Sequence, residues 1–374
     1  MRIIFAGGGT AGHINPALAV ADYIRNHDKD AEILYVGAVN SMEEKLASKA
    51  NFDFKGITVS GFSREISLKG LKKNIVTVKR IFTSSRESKK IIKEFKPDIC
   101  MGTGGYVSGP VLKVAANMGI PIIIHEQNAY PGVANKMLAK YAKKVMLASN
   151  DARKYFNKDC DIVLTGNPVR TKVIQANKAA SREKLKLDSR PLVLSFGGSL
   201  GARKINEAVA DLIKETSKDD RYQHIHAYGK YGTWFNDLLK QKGVDIKKHK
   251  NLDIREFIDD MDTCLAAADI VICRAGAITL SELQVQGKAS ILIPSPNVAE
   301  NHQYHNAMAL VRNNAAEIIE EKDLTGKGLT QKVDEILQNK GTLSRLENNA
   351  KKMAIIDTNE KIYNIIKKIV KETK

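Results

Sequence analysis

Two stretches of this chain are built alike, and that limits its fold more than any other feature. Residues 3–21 read IIFAGGGTAGHINPALAVA, and residues 192–210 read LVLSFGGSLGARKINEAVA. Each passes from a short uncharged apolar run through a glycine cluster into a helix-like segment. Apolar runs of this kind predict strands buried on both faces of a parallel sheet. Glycines at the turn let the backbone approach a ligand, and the next helix offers unpaired N–H groups at the positive end of its dipole. Two such units predict two Rossmann-like domains facing each other across a cleft. That arrangement suits a nucleotide-linked donor in one half and an acceptor in the other.

The rest of the chain follows the same pattern. Strand patterns at 3–6, 33–36, 99–101, 121–125 and 144–147 alternate with helix patterns at 16–25, 76–95 and 109–117. This alternation predicts an α/β architecture with a parallel sheet covered by helices. After the strand pattern near 162, residues 171–190 are polar and rich in Lys and Ala, so a linker is expected around 164–190. The second half restarts at 192–196, with further strand patterns at 224–227, 253–257, 270–273 and 290–293. The domains are therefore expected at 1–164 and 165–349. A basic amphipathic pattern at 343–370, broken near Asp357, predicts a terminal helix (350–374) that packs back on the first domain. A length of 374 residues exceeds one ordinary core, and 43% hydrophobic with 27% charged residues describes a globular chain. Cys100, Cys160, Cys264 and Cys273 are scattered without zinc spacing, and are read as reduced thiols. The start runs straight into a strand, so no signal peptide is expected, and no run reaches the ~20 apolar residues of a membrane span.

The chemistry is expected in the loops. Gly7–Gly12 resembles a dinucleotide fingerprint, but no acid follows the second strand until Glu43, which argues against a nicotinamide cofactor. There is no GxxxxGK[ST], which excludes a P-loop enzyme. His13 falls where the first helix begins; the dipole there favours a neutral ring, as a general base requires. Residues 102–110, GTGGYVSGP, form a second glycine loop, suited to wrapping a diphosphate with backbone N–H groups and carrying Tyr106. His125, Glu126, Gln127 and Asn128 follow an uncharged strand, at the end where parallel sheets bind ligands. In the second half, Ser199 lies in the repeated glycine loop, and Glu282 falls about two turns into the helix after Gly276. A carboxylate there can accept both hydroxyls of a ribose. No carboxylate pair or His cluster has metal spacing, so metal-independent chemistry without a cofactor is expected.

Together these motifs resemble the MurG family of bacterial glycosyltransferases. The resemblance rests on GGGTAGHINPALA, GTGGYVSGP, HEQNAYPGVANK, TGNPVR, GGSLGA, RAGAITLSEL and the NHQYHNA segment, in that order along nearly the whole chain. It implies a GT-B glycosyltransferase fold, with UDP-N-acetylglucosamine bound by the second domain and lipid I, the undecaprenyl-diphosphate-linked muramyl peptide, by the first. It implies that Ser199 and its loop meet the UDP diphosphate, that the backbone of Ile258 reads uracil, and that Glu282 holds the ribose. Ala277, Ile278, Thr279, Leu280 and Ser281 would line the diphosphate and sugar, and Gln303 would bind the sugar hydroxyls. Thr10, Ala11, Gly12, Asn128 and Arg170 would complete the donor site, with Tyr106 among the substrate contacts. The implied reaction inverts the anomeric carbon, with His13 as base and Glu126 in reserve. Ala11 replaces a frequent glycine and Asn301 a frequent aspartate. Alternatives are a related transferase with another lipid acceptor and a non-catalytic UDP-sugar-binding protein.

The net charge of +17 demands a partner of opposite sign. Residues 64–98 hold eleven Lys or Arg against four Asp or Glu. Leu68, Leu71, Ile75, Val78 and Phe82 recur at spacings of three and four, bordered by Lys69, Lys72, Lys73, Lys79, Arg80 and Arg86. An apolar stripe with a basic border suits an anionic membrane surface, or equally a helix packed into the core with a solvated basic face; the lipid-linked acceptor that the resemblance implies favours the membrane, and with it a peripheral place on the cytoplasmic face of the cell membrane. Nucleic acid is not expected: aromatic residues are 6%, too few for stacking platforms.

Overall fold

In the computed structural model, the uncharged runs form the central strands of two parallel sheets. The structure describes residues 1–59 and 68–373, and for 68–81 and 299 the backbone alone. Among the described residues the first sheet contains β1 (Arg2–Gly7), β2 (Glu32–Ala38), β3 (Asp53–Ile57), β4 (Ile99–Gly104), β5 (Ile122–Glu126), β6 (Lys144–Leu147) and β7 (Ile162–Leu164). Their order is β3-β2-β1-β4-β5-β6-β7, with every neighbouring pair parallel. The second sheet contains β8 (Leu192–Phe196), β9 (Gln223–Ala227), β10 (Leu252–Arg255), β11 (Ile270–Cys273), β12 (Ala289–Leu292) and β13 (Glu317–Ile318). Its order is β10-β9-β8-β11-β12-β13, again all parallel. Both orders reverse direction once, between β1 and β4 and between β8 and β11. Loops leaving the two strands at such a point diverge and open a crevice at the strands' carboxyl ends.

Ile3, Ile4, Phe5 and Ala6 of β1 are wholly buried, as both faces of a parallel sheet require. Helix Arg203–Thr216 shows the matching helical pattern, burying Ile205, Val209, Leu212 and Ile213 at spacings of three and four. Two strands lacked a sequence signal. Both β3 and β13 are edge strands; β3 alternates half-buried and exposed residues, and β13 has only two residues. Edge strands need no apolar run, so their sequences show none.

The chain divides into two compact units, Met1–Val169 with Ile355–Lys374, and Arg170–Ala354. The first unit keeps TGNPV because that segment is bonded into its sheet. Thr165 N and Gly166 N donate to the Leu147 carbonyl at 2.9 and 3.2 Å, and the Gly166 carbonyl accepts from His125 Nε2 at 2.8 Å. The amphipathic pattern at the end of the chain resolves into helices Lys340–Lys352 and Thr358–Thr373. The second of these buries Ile362, Ile366, Ile369 and Val370 among Ile14, Val20, Ala21 and Ile24 of helix Ala11–His27. Each such side chain contributes roughly 1.5–3 kcal/mol of burial. Thr358 Oγ1 donates to the Thr165 carbonyl at 2.7 Å, fixing where that helix begins.

Three histidines are buried neutral. Burial pushes His224 and His226 of β9 down to about 3 and His125 of β5 down to about 4. In the unfolded chain an imidazole titrates near ~6.5, so below that pH the unfolded state takes up protons that the folded state refuses. Their contribution to stability is complete above about pH 6.5 and is lost as pH falls toward the folded values. Each histidine should remove about 1.4 kcal/mol per pH unit over that range. Urea titrations at stepwise lower pH should show the midpoint falling. His226→Phe, which fills the same slot against Phe235 without a titrating group, should flatten the slope.

Candidate active site

The first unit gathers its polar groups where β1, β4 and β5 end. The turn after β1 lies against the turn after β4: Gly8 N donates to the Gly104 carbonyl at 3.3 Å. Gly105 has φ +79°, and a Cβ there would overlap the Gly8 carbonyl, so only glycine fits. Thr10 caps helix Ala11–His27 by its backbone alone, and its exposed hydroxyl makes no cap bond. Ala11 and Gly12 follow, exposed, in the first turn. Ala11 stands in a helical position and carries its methyl without strain. Tyr106 packs its ring beside Gly9; burial, and then the Glu43 carboxylate, raises its phenol above the usual value.

His13 is half-buried behind this loop. Thr103 Oγ1 donates to its carbonyl at 2.7 Å, and its Nδ1 lies 3.0 Å from Gln127 Oε1. Glu126 is fully buried and its oxygens are committed: Oε1 accepts from Asn128 N (2.9 Å) and Nδ2 (3.0 Å), and Oε2 from Gly132 N (3.0 Å) and Asn135 Nδ2 (2.8 Å). Four donors fold the loop after β5 around one carboxylate. Asn128, at the mouth of that loop, is thereby oriented.

Sequence reasoning missed Glu43. It sits in the first turn of helix Met42–Lys49, almost wholly buried, and accepts from Ala38 N at 3.1 Å and Gly9 N at 3.3 Å. The acid absent from the end of β2 is thus supplied one turn later, with both oxygens bonded to backbone.

In the second unit the loops after β8, β9 and β10 are stapled together. Lys230 N donates to the Ser199 carbonyl at 3.1 Å, Tyr231 N to Leu200, and Gly229 N to the Glu256 carbonyl at 2.9 Å. Ser199 is exposed at the tip, beside Gly198 at φ +93°. Ile258 is buried just beyond β10, next to an exposed Phe257. Helix Ala277–Gln286 starts directly after β11. Ala277, Ile278 and Thr279 occupy its first turn, half-buried, while Leu280 turns into the core. Ser281 Oγ donates back to the Ala277 carbonyl at 3.2 Å.

Glu282 is buried, and its Oε1 lies 3.2 Å from Arg170 Nη2. Burial raises this carboxyl and Arg170 opposes the rise. The contact is possible because Gln286, at the tail of the same helix, bonds to the carbonyls of Val173 and Ala176 beyond Arg170. Gln303 accepts from Ser295 N at 2.9 Å through Oε1, which turns its amide NH2 outward from that contact. Arg274 ties the ends of β11 and β12 together, donating to Ile293 and Pro294 carbonyls and pairing with Glu321. That partner, 47 residues distant, had no sequence signal.

Most of the segment read as an apolar stripe with a basic border falls on helix Leu68–Phe95, in which Phe82 is 69% exposed. The side chains of Leu68, Leu71, Lys72, Lys73, Ile75 and Lys79 lie outside the described residues. Among the described residues no helix is long and apolar enough to cross a membrane, and no three His, Cys, Asp or Glu side chains form a metal-binding group.

Two doubly wound parallel domains, each with a glycine loop at its switch point, define the class as a GT-B glycosyltransferase. Residues 3–147 match the glycosyltransferase family 28 N-terminal domain and residues 192–369 its C-terminal domain. A crystal structure of Acinetobacter baumannii MurG superposes with a TM-score of 0.76 at 28% identity, covering 98% of this chain and 99% of that one. A relative from Acetivibrio thermocellus is 45% identical over 372 residues, 99% of both chains. One from Bacillus cereus is 41% identical over 374 residues, the whole of both chains. Both are named UDP-N-acetylglucosamine–N-acetylmuramyl-(pentapeptide) pyrophosphoryl-undecaprenol N-acetylglucosamine transferase. The chain belongs to glycosyltransferase family 28, in its MurG group.

Glu43→Ala leaves two loop N–H groups without their carboxylate. Hydrogen bonds to a charged group contribute about 1.5–3 kcal/mol each, so the first unit should lose about 3–6 kcal/mol, read as a lower urea midpoint.

Proposed function

We infer that this enzyme transfers N-acetylglucosamine from UDP-N-acetylglucosamine to the C4 hydroxyl of the muramyl sugar of lipid I, giving lipid II for peptidoglycan synthesis. The observation that carries this reading is the end-to-end match, at 45% identity, to a relative named for that transfer. The second unit takes the donor. Ser199 and the N–H groups opening helix Ala277–Gln286 face the diphosphate, the Ile258 backbone the uracil, Glu282 the ribose and Gln303 the sugar. Arg170 supports the donor site through Glu282. The first unit takes the acceptor; Gly8, Gly9 and Gly104 spend their N–H groups inside the unit, so those of Thr10, Gly105 and Tyr106 are offered to its diphosphate.

In the chemical step an oxygen lone pair of the acceptor hydroxyl forms the new bond to the anomeric carbon. The bond from that carbon to the β-phosphate oxygen breaks, and its electron pair leaves with UDP. A helix N-terminus and the Ser199 hydroxyl can stabilise the leaving charge. The hydroxyl proton goes to His13. Glu126 is less suited to that role, because all four of its hydrogen bonds are already made within its own loop.

The test is UDP release from UDP-N-acetylglucosamine with a short-chain lipid I analogue and EDTA present. Acceptor-dependent release is expected; donor binding without release would reject the transfer or its independence of metal. His13→Ala should lower turnover by about 10²–10⁴-fold with little change in donor affinity, the range of a lost general base.

The acceptor is held in a bilayer by its lipid, so the enzyme works at the cytoplasmic membrane surface as a peripheral protein. Exposed Phe82, Val133 and Met137 and the Lys- and Arg-rich sequence of residues 64–98 support this reading. Binding to anionic vesicles should weaken with added salt and with Lys72→Glu and Lys73→Glu, measured by co-sedimentation. Binding indifferent to both would reject the electrostatic contact.

A further inference from the structure

We propose that Gln127 is a positioning residue: it fixes the proton of His13 on Nδ1 and so leaves Nε2 as the nitrogen that accepts the acceptor's hydroxyl proton. The proposal rests on the reading of His13 as the base and adds what sets that base.

The argument starts from a backbone carbonyl. The Gly166 oxygen can only accept, and His125 Nε2 lies 2.8 Å from it, so Nε2 of His125 carries a hydrogen. His125 is completely buried, and burial drives its pKa down to about 4, so the ring holds one proton and its Nδ1 is bare. The Gln127 side-chain nitrogen lies 3.1 Å from that Nδ1 and 3.0 Å from the His125 carbonyl oxygen. Both partners are acceptors, so this end of the amide must be the NH2. The other end is then the oxygen, and it stands 3.0 Å from His13 Nδ1. An amide oxygen only accepts, so His13 Nδ1 carries the hydrogen. In a neutral ring the lone pair is then on Nε2, to which nothing among the described residues is hydrogen-bonded.

No amide flip escapes this logic, because two carbonyl oxygens, of Gly166 and His125, fix the direction of every bond between them. The ring lies against the Gly104 backbone. A Cβ on Gly104 would stand 2.9 Å from His13 Nδ1, and the His13 carbonyl is held by Thr103. The Gly166 carbonyl is held in turn. That glycine is at φ +81°, and the space a side chain would need is filled by Ile355 and Thr358. The terminal helix thus braces the first acceptor of the relay.

The measurement is the ring tautomer of His13 in the full-length protein with 15N-labelled histidine, from NMR correlations of the ring nitrogens to the carbon-bound ring protons. The His13 signal is assigned by its absence in His13→Ala. The wild type should show Nδ1–H and a bare Nε2. Gln127→Met should shift His13 toward Nε2–H and lower kcat by about 10²–10⁴-fold, the range of a lost general base, while KM for UDP-N-acetylglucosamine stays within about 2-fold. Gln127→Glu keeps an oxygen facing His13 and should retain Nδ1–H and recover part of kcat. A wild-type His13 with its proton on Nε2 overturns the relay, and that spectrum needs no variant to fold. A tautomer and kcat unchanged in Gln127→Met overturn it as well. Normal turnover in His13→Ala removes the base itself, and with it the proton-accepting role of Nε2, while the wild-type spectrum still reports separately on the hydrogen-bond chain.

Discussion

Backbone meeting backbone at the carboxyl ends of the strands is the constraint on which the rest depends. In the first unit the contact joins the turns after β1 and β4, at Gly8 and Gly105. In the second it joins the turns after β8 and β9, where a side chain on Gly201 would overlap the Tyr228 carbonyl and one on Gly229 the Gly201 backbone. Both contacts place peptide groups next to a helix N-terminus with no side chain in the way. This is the geometry that anionic ligands need, and a side chain at Gly105, Gly201 or Gly229 would push the loops apart. The repeated glycines therefore serve packing and binding together.

Around these loops the protein buries polar groups and satisfies them locally. The Glu43 carboxylate holds the loop after β1, Glu126 shapes the loop after β5, and Arg274 with Glu321 joins β11 to β12. A buried charge without partners is costly, so each of these groups imposes one arrangement on the backbone that solvates it. Glu126, at the end of β5 where a catalytic group could sit, has both oxygens bonded to groups just after it in the chain. Half-buried His13, tied through a neutral amide, keeps a nitrogen available.

The central strands and the glycine loops were legible in the sequence because burial on both faces demands uncharged runs and close approach demands glycine. What was not legible follows from the same physics. The edge strands β3 and β13 carry no apolar run, since one side of each faces no neighbouring strand. The acid that closes the first glycine loop comes from Glu43 on the following helix, where sequence spacing gives no sign of it. The pairing of Arg274 with Glu321 depends on how two distant segments fold together. The first unit extends through Val169 because the Leu147 carbonyl and His125 bind the residues after β7, a long-range fact that a polar linker composition does not reveal. The stripe from Leu68 to Lys79 was read as a membrane contact, and its side chains fall outside the described residues.

The second unit handles charge differently from the first. Glu282 is buried, which raises its carboxyl above the usual range and favours the neutral form, and Arg170 opposes that rise. The guanidinium is half-exposed, so the pair itself adds little to stability. Its consequence is chemical. An ionised carboxylate is acceptor-only and offers about four lone-pair sites, whereas a protonated one donates as well. Arg170 reaches only Oε1, so Oε2 keeps its lone pairs for hydroxyl donors. A sugar presenting two adjacent hydroxyls can bond to such a group without displacing the arginine. In the donor reading, Arg170 thus acts on ribose recognition by favouring the charge state of Glu282 that accepts both hydroxyls.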